Sequence, residues 1–284
     1  MNRRDALYQT ALLAAICLDS FGTTANVRKH YKIGACDWSL GRACTPEVFE
    51  YARKMGIDGV QLSYNSRKDE IYLLRPENQQ AMREASKKSG VKIASLAIGQ
   101  LNSVPLKSEP KTVEWVSGSI DAAKALGVKV VLLAFFSNND LRNDDAGKKV
   151  VIERLKQLTP KAEKQGVILA IESYLSAQEH LEIIDAVGSR NVQIYYDPRN
   201  AADAGHDPYT EIPILGKRKL ICEIHLKENE FLLGQGSIDW PRIRQLLDEI
   251  NFKGWAHIEG AVPKGKTVHE SYPHNVSYAK KIFG

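Results

Sequence analysis

Short apolar runs alternate with amphipathic segments along almost the whole chain. Strand-like runs begin near Lys32, Asp58, Val91, Val128, Val167, Val192, Leu220 and Trp255. Most are rich in Val, Ile and Leu without polar alternation, the pattern of strands buried on both faces. Between them, apolar residues recur at three- and four-residue spacing, which predicts helices over residues 46–55, 77–89, 113–126, 148–164 and 241–250. Gly56, Gly90, Gly127 and Gly166 each stand two residues or fewer before a strand run, where a glycine ends the preceding helix. Eight such repeats with short links exclude a sandwich or a helical bundle. A doubly wound open sheet would place Gly-x-Gly-x-x-Gly after its first strand, and that motif is missing. The pattern therefore predicts a single-domain (β/α)8 TIM barrel over residues 31–284.

Length agrees, since a barrel of about 250 residues uses nearly all of the 284 available. Hydrophobic content of 43% and charged content of 26% are ordinary for a soluble globular protein. The net charge of +5 is mild, and no Lys/Arg block marks a nucleic-acid surface. Residues 1–30 stand outside the repeat. Arg3-Arg4 precede an apolar run from Ala11 to Leu18 and small residues from Gly22 to Ala25, the parts of a twin-arginine-like export signal with a linker. The run is too short to span a bilayer, so no stable membrane insertion is expected, and the location implied is periplasmic or exported. An uncleaved amphipathic helix on a cytoplasmic protein is the alternative. Removal of Cys17 with the signal would leave Cys36, Cys44 and Cys222, an odd number and no disulfide framework. Cys36 and Cys222 lie in apolar strand runs and read as small buried hydrophobes.

Chemistry enters at the strand ends. Glu172, Asp197, His225 and Glu259 close four consecutive runs, with gaps of 25, 28 and 34 residues. Barrel strands all run the same way, so residues that end neighbouring strands meet at the C-terminal mouth, where barrel enzymes keep their sites. A carboxylate at a strand end can equally be a helix cap or a salt-bridge partner; four in succession argue for a divalent-cation site. The linker-like stretch 136–147 follows the fourth strand and is expected to lie over that mouth.

The stretches Glu223-Ile-His-Leu-Lys-Glu228, Leu233-Gly-Gln-Gly-Ser-Ile-Asp-Trp240 and Gly254-Trp-Ala-His-Ile-Glu259 resemble the xylose-isomerase-like barrels, which include sugar epimerases and isomerases; the likeness runs from Tyr31 to Gly284. It implies that Glu172, Asp197, His225 and Glu259 hold one divalent ion, Mn²⁺ first, with Mg²⁺, Co²⁺, Fe²⁺ and Zn²⁺ as alternatives. It implies further that Glu172 and Glu259 shuttle the proton beside a carbonyl, and that Lys227 contacts substrate. The expected partner is a small carbohydrate, and a homo-oligomer is left open. Such an enzyme would isomerise or epimerise a keto sugar through an enediolate.

Two departures qualify the substrate. The sixth strand of these barrels usually continues Asp-x-x-His; here Asp197 is followed three positions on by Asn200, which can bond a sugar hydroxyl but carries no proton. Gln61 stands where a Glu is common and is taken as a substrate contact. Trp38 and Tyr64 are candidate stacking walls, Gln235 a candidate substrate contact, and Asp239 a helix N-cap ahead of Pro241. Glu223 and His257, two residues before His225 and Glu259, would sit one layer below and brace the ligands. Three other outcomes compete. A dehydratase or lyase on an oxidised sugar such as a 3-keto-glycoside would begin with the same proton abstraction. A non-catalytic sugar-binding barrel would not need the carboxylate pair. The related barrel that cuts abasic DNA needs extra histidines from early strands, and none occurs between Tyr31 and Glu179.

Overall fold

The computed structural model describes residues 30–284, so the expected export signal lies outside the described residues. Eight parallel strands close in sequence order: β1 (Ile33–Cys36), β2 (Gly59–Ser63), β3 (Lys92–Ile98), β4 (Val130–Phe135), β5 (Ile168–Ser173), β6 (Val192–Tyr196), β7 (Ile221–Lys227) and β8 (Ala256–Glu259). Closure is completed by β1 pairing with β8, with Ile33 opposite Ala256. Each strand starts within two residues of the position read from the sequence.

The outer helices include Glu47–Lys54, Pro76–Ser89, Lys111–Leu126, Asp145–Gln165, Ala177–Val187, Pro208–Lys217, Trp240–Glu249 and Val268–Phe283. Their apolar stripes pack on the outward strand faces in one continuous core that includes Phe49, Leu96, Val131, Leu155 and Ile224. A second, smaller cluster of Ala97, Leu132, Ala134, Ala170 and Tyr195 fills the barrel interior. Asp239 caps the helix Trp240–Glu249 by accepting from Arg242 N at 3.0 Å, as the sequence led us to expect. No helix among the described residues is long and apolar enough to cross a membrane.

Two glycines decide what fills the lower barrel. A Cβ on Gly34 would stand 2.3 Å from the His257 ring, and one on Gly59 would stand 2.6 Å from the Trp255 indole. Only bare backbone on β1 and β2 leaves room for those rings. The Trp255 and His257 rings then stack at 5.9 Å, His257 Nδ1 and Tyr195 Oη share a 2.7 Å hydrogen bond, and the Tyr195 ring lies 4.4 Å from that of His225. A column of rings thus rises through the barrel to its C-terminal mouth.

Candidate metal and substrate site

The four residues singled out by spacing converge. One ligand atom from each of Glu172, Asp197, His225 and Glu259 lies within 4.8 Å of the others. They do not occupy equivalent strand positions, however. Asp197 stands just beyond β6, and His225 lies two residues inside β7, so that Lys227, not His225, pairs in register with Glu259. A bulge between Ile194 and Tyr195 shifts the β6–β7 register just before Asp197.

Local structure aims each donor. Asp197 is the N-cap of the short helix Pro198–Asp203, and Pro198 fixes the first turn. Its Oδ1 accepts from Arg199 N at 2.8 Å and Asn200 N at 3.1 Å. Oδ2 is left buried with no hydrogen-bond partner among the described residues. His225 turns Nδ1 to the carboxylates, 2.9 Å from Glu172 Oε1 and 3.5 Å from Glu259 Oε2. Its Nε2 faces Gln61 Oε1 at 3.1 Å and Cys36 Sγ at 3.4 Å. Glu259 is gripped on both oxygens: Trp38 Nε1 donates to Oε1 at 3.0 Å, and Lys227 Nζ stands 3.0 Å from Oε2. Asn200 bridges, donating to Glu172 Oε1 at 3.2 Å and accepting from Lys227 Nζ at 3.1 Å.

The electrostatics are those of a crowded anionic pocket closed by two cations. Burial opposes ionisation of Glu259, yet His225, Lys227 and the Trp38 hydrogen bond outweigh it and hold its carboxyl down to about 2. Burial dominates at Asp197, and with the neighbouring Glu172 it outweighs Lys227 to bring that carboxyl up to about 7. Burial would lower the His225 pKa, but the Glu259 and Glu172 charges raise it well above its ordinary value. Three carboxylates and the two cations thus meet about one point, where the orphaned Asp197 oxygen is free to ligate and His225 Nδ1 can do so on giving up its proton. Oxygen-rich sets with one imidazole suit divalent ions such as Mn²⁺ or Mg²⁺, so the residues present fit such an ion.

A cavity of about 670 Å³ opens directly above. Glu172, Glu259, Asn200, Lys227 and Trp38 reach it from the ligand side, as their sequence positions implied. Asn65, Arg67, Gln100, Asn102, Phe136 and Tyr174 contribute to the rest of its polar and aromatic wall. Phe136 and Tyr174 meet edge to face at 4.8 Å, with the Arg142 guanidinium 4.5 Å from the Tyr174 ring, so the start of the stretch after β4 does border the mouth.

Three sequence expectations fail. Gln61 is fully buried and bonds His225 instead of lining the cavity. Gln235 is exposed on a loop away from the cavity wall. Tyr64 is not a stacking wall: it is wholly buried against the helix Lys111–Leu126, its hydroxyl filling the space beside Gly118. Alternation gives the inward face of a strand, but not which layer a side chain reaches. Cys222 is likewise not fully buried, and Cys36, read as a plain hydrophobe, abuts His225. Glu223 and His257 do lie one layer down, with Glu223 Oε2 3.6 Å from His257 Nδ1. Burial raises Glu223 to about 8 and drives His257 well below its ordinary value, so both are held neutral. Tyr195, which sequence reading did not single out, is the actual hydrogen-bond partner of His257.

Fold and site together define a (β/α)8 barrel with a carboxylate–imidazole centre at its C-terminal mouth. The xylose isomerase-like TIM barrel family model matches residues 49–282, and the chain belongs to that family. Among curated relatives, a 2-epi-5-epi-valiolone 7-phosphate 2-epimerase from Actinoplanes sp. is 25% identical over 178 residues, covering 62% of this chain and 65% of that one. A D-psicose 3-epimerase from Enterocloster bolteae is 31% identical over 150 residues, covering 47% and 46% respectively. The chain therefore spans about two thirds and about half of the length of these two relatives. A 3-keto-D-glucoside 4-epimerase from E. coli shares the fold with a TM-score of 0.74 at 16% identity, covering 88% of this chain and 99% of its own.

Proposed function

We propose that the protein is a divalent-metal-dependent isomerase or epimerase of a keto sugar or related carbohydrate. One observation carries this reading: Glu172 and Glu259 both reach the same cavity while sharing their inner face with Asp197 and His225. The named relatives, all epimerases of sugars or sugar-like phosphates, support it. Glu172, Asp197, His225 and Glu259 would hold the ion. When bound, it supplies Lewis acidity that stabilises negative charge on a carbonyl oxygen.

The chain's own residues do the rest. His225, Lys227 and Trp38 favour the ionised form of Glu259, the form that accepts a proton from the carbon beside the carbonyl. Glu172, steadied by Asn200, approaches that carbon from the strand three places away and returns a proton to the other face. Lys227, between Asn200 and Glu259, offers a cation for a substrate oxygen. Asn200, with no proton to exchange in this range, serves only to orient. Phe136, Tyr174 and Trp38 wall the cavity and keep bulk water from the intermediate.

The deciding experiment incubates metal-loaded protein with a panel of keto sugars and 3-keto-glycosides in D₂O. Deuterium appearing beside the carbonyl, together with an epimer or isomer, is the expected result. Exchange ending in an eliminated product would make the enzyme a lyase or dehydratase. No exchange with any member would leave the non-catalytic sugar-binding barrel. Export rests on the Arg3-Arg4 pair and the apolar run 11–18. Intact-mass measurement on protein from the native host tests it, and retention of residues 1–18 in soluble cytoplasmic protein would refute it.

A further inference from the structure

At the opposite end of the barrel from the quartet lies a second cavity, of about 760 Å³. Its rim carries five lysines. Lys32 precedes β1, Lys92 opens β3, Lys129 precedes β4, Lys219 precedes β7, and Lys253 lies just before β8. All five are exposed, and among the described residues none stands within ion-pair distance of a carboxylate. Lys107, Lys111, Lys148, Lys161 and Lys280, by contrast, are each paired with a carboxylate at 2.9 Å or less; what sets the five apart is that they ring one concavity. The floor has a different character. Trp255 presents its indole with Lys32 Nζ 5.2 Å from the ring centroid, flanked by the apolar side chains of Val130, Ile168 and Phe252. Glu223, 2% exposed, also reaches the floor, and its Oε2 has no hydrogen-bond partner.

We propose that this cavity is a binding site for a small phosphorylated metabolite, with its phosphates on the lysine rim and its hydroxyl-bearing body on the Trp255–Glu223 floor. Five unpaired cations around one concavity focus a positive potential that a multiply charged anion relieves, and lysines act on phosphate as point charges. The unpartnered Oε2 of the buried Glu223 carboxyl leaves a hydrogen bond to be made, which a ribose or polyol hydroxyl, as donor or acceptor, completes, and the indole offers a flat apolar face. The volume lies within the usual range of about 300–1,000 Å³ for small-molecule sites. A nucleotide and a sugar bisphosphate share these features, so each serves as a probe.

The test is titration calorimetry of the full-length chain with ADP, with fructose 1,6-bisphosphate, and with adenosine as the uncharged comparison. One phosphorylated probe should bind saturably with a Kd of about 1 mM or tighter, and adenosine should not. Binding should weaken as NaCl rises from about 50 to about 500 mM, because the rim is solvent-exposed. The double variant Lys129→Glu/Lys219→Glu lies far from the upper site; it should lose at least about tenfold in affinity while its melting temperature and carbohydrate turnover hold. Quenching of tryptophan fluorescence by the bound probe should vanish in Trp255→Phe. Binding that is equal in wild type and double variant would place the probe at the upper mouth and overturn the proposal. Absence of saturable binding by both phosphorylated probes would overturn it as well.

Discussion

The two halves of the barrel's C-terminal mouth are built for different tasks. Strands β5 to β8 deliver Glu172, Asp197, His225, Lys227 and Glu259, all charged or chargeable and all within a few ångströms of one another. Strands β1 to β4 deliver mostly neutral groups to the same rim: Ser63, Ala97 and Ala134, with Asn65, Gln100, Phe136 and the charged Arg67 from the loops that follow. The one carboxylate among them, Asp37, turns away from the cavity. It accepts from Ser63 N at 2.8 Å, Ser63 Oγ at 2.6 Å and Cys44 N at 3.2 Å, and so ties β1 to β2. Reactivity is thus concentrated on one side, while the other sets the cavity's shape. Substitutions on the two sides should separate accordingly, the first striking turnover and the second stability or substrate choice.

The largest effect should come from stripping the charged half of its ion. Exhaustive chelation is expected to abolish isotope exchange and Mn²⁺ to restore it, and His225→Ala, which removes the sole nitrogen of the quartet, should lower bound metal measured by elemental analysis. Full metal content in that variant would show that the quartet is not the centre. Next come Glu172→Gln and Glu259→Gln, which preserve shape but accept no proton. Each should lose about 10²- to 10⁴-fold in kcat, with metal content falling less. A two-base enzyme would still allow one of these variants to exchange the substrate proton from its intact side while forming no epimer. Near-normal turnover in both would end the proton-shuttle reading.

In the neutral half the readout changes. Asp37→Ala strips buried N–H and O–H donors of their acceptor and should cost about 2–3 kcal/mol of stability by urea titration, with much less effect on kcat of the folded enzyme. Burial, outweighing the hydrogen bonds from Ser63 and Cys44, raises the Asp37 carboxyl to about 6 from an ordinary 3.8. The folded chain therefore binds a proton there between about pH 6 and 4 that the unfolded chain releases. The resulting stabilisation is complete below about 3.8 and is lost as pH rises through 6; Asp37→Asn, neutral throughout, should flatten the stability profile in that window. The smallest effect belongs to the seam between the halves. Trp38→Phe keeps the wall but removes the 3.0 Å bond to Glu259, worth about 1 kcal/mol; kcat/KM should fall about fivefold, with folding unchanged. A loss as large as that of Glu259→Gln would mean that Trp38 does more than orient.

The strands, their order and the quartet were legible because burial on both faces and strand-end position leave marks in a one-dimensional pattern. What the pattern could not carry was depth and rotation. Gln61 and Tyr64 lie three positions apart at the end of the same strand, yet one meets His225 inside the barrel and the other meets Gly118 outside it. The β6–β7 bulge and the β7–β8 register that places Lys227 opposite Glu259 have no residue signature. Tyr195 escaped notice because an apolar strand hides a tyrosine whose hydroxyl finds its partner 62 positions away. The lysine rim at the other mouth forms no block in the sequence, since its members come from five separate strand starts and meet only when the sheet closes.

The pairing of Gly34 with His257 and of Gly59 with Trp255 has a consequence for how this sequence can drift. Each glycine is tolerable to lose only after its aromatic partner has shrunk, and each ring, once shrunk, gives up its stacking contact with the other. Single steps in either direction pass through a disfavoured intermediate, so the two pairs act as ratchets that hold a lineage to its present barrel floor. In a saturation library, viable replacements at positions 34 and 59 should surface only alongside smaller residues at 257 and 255.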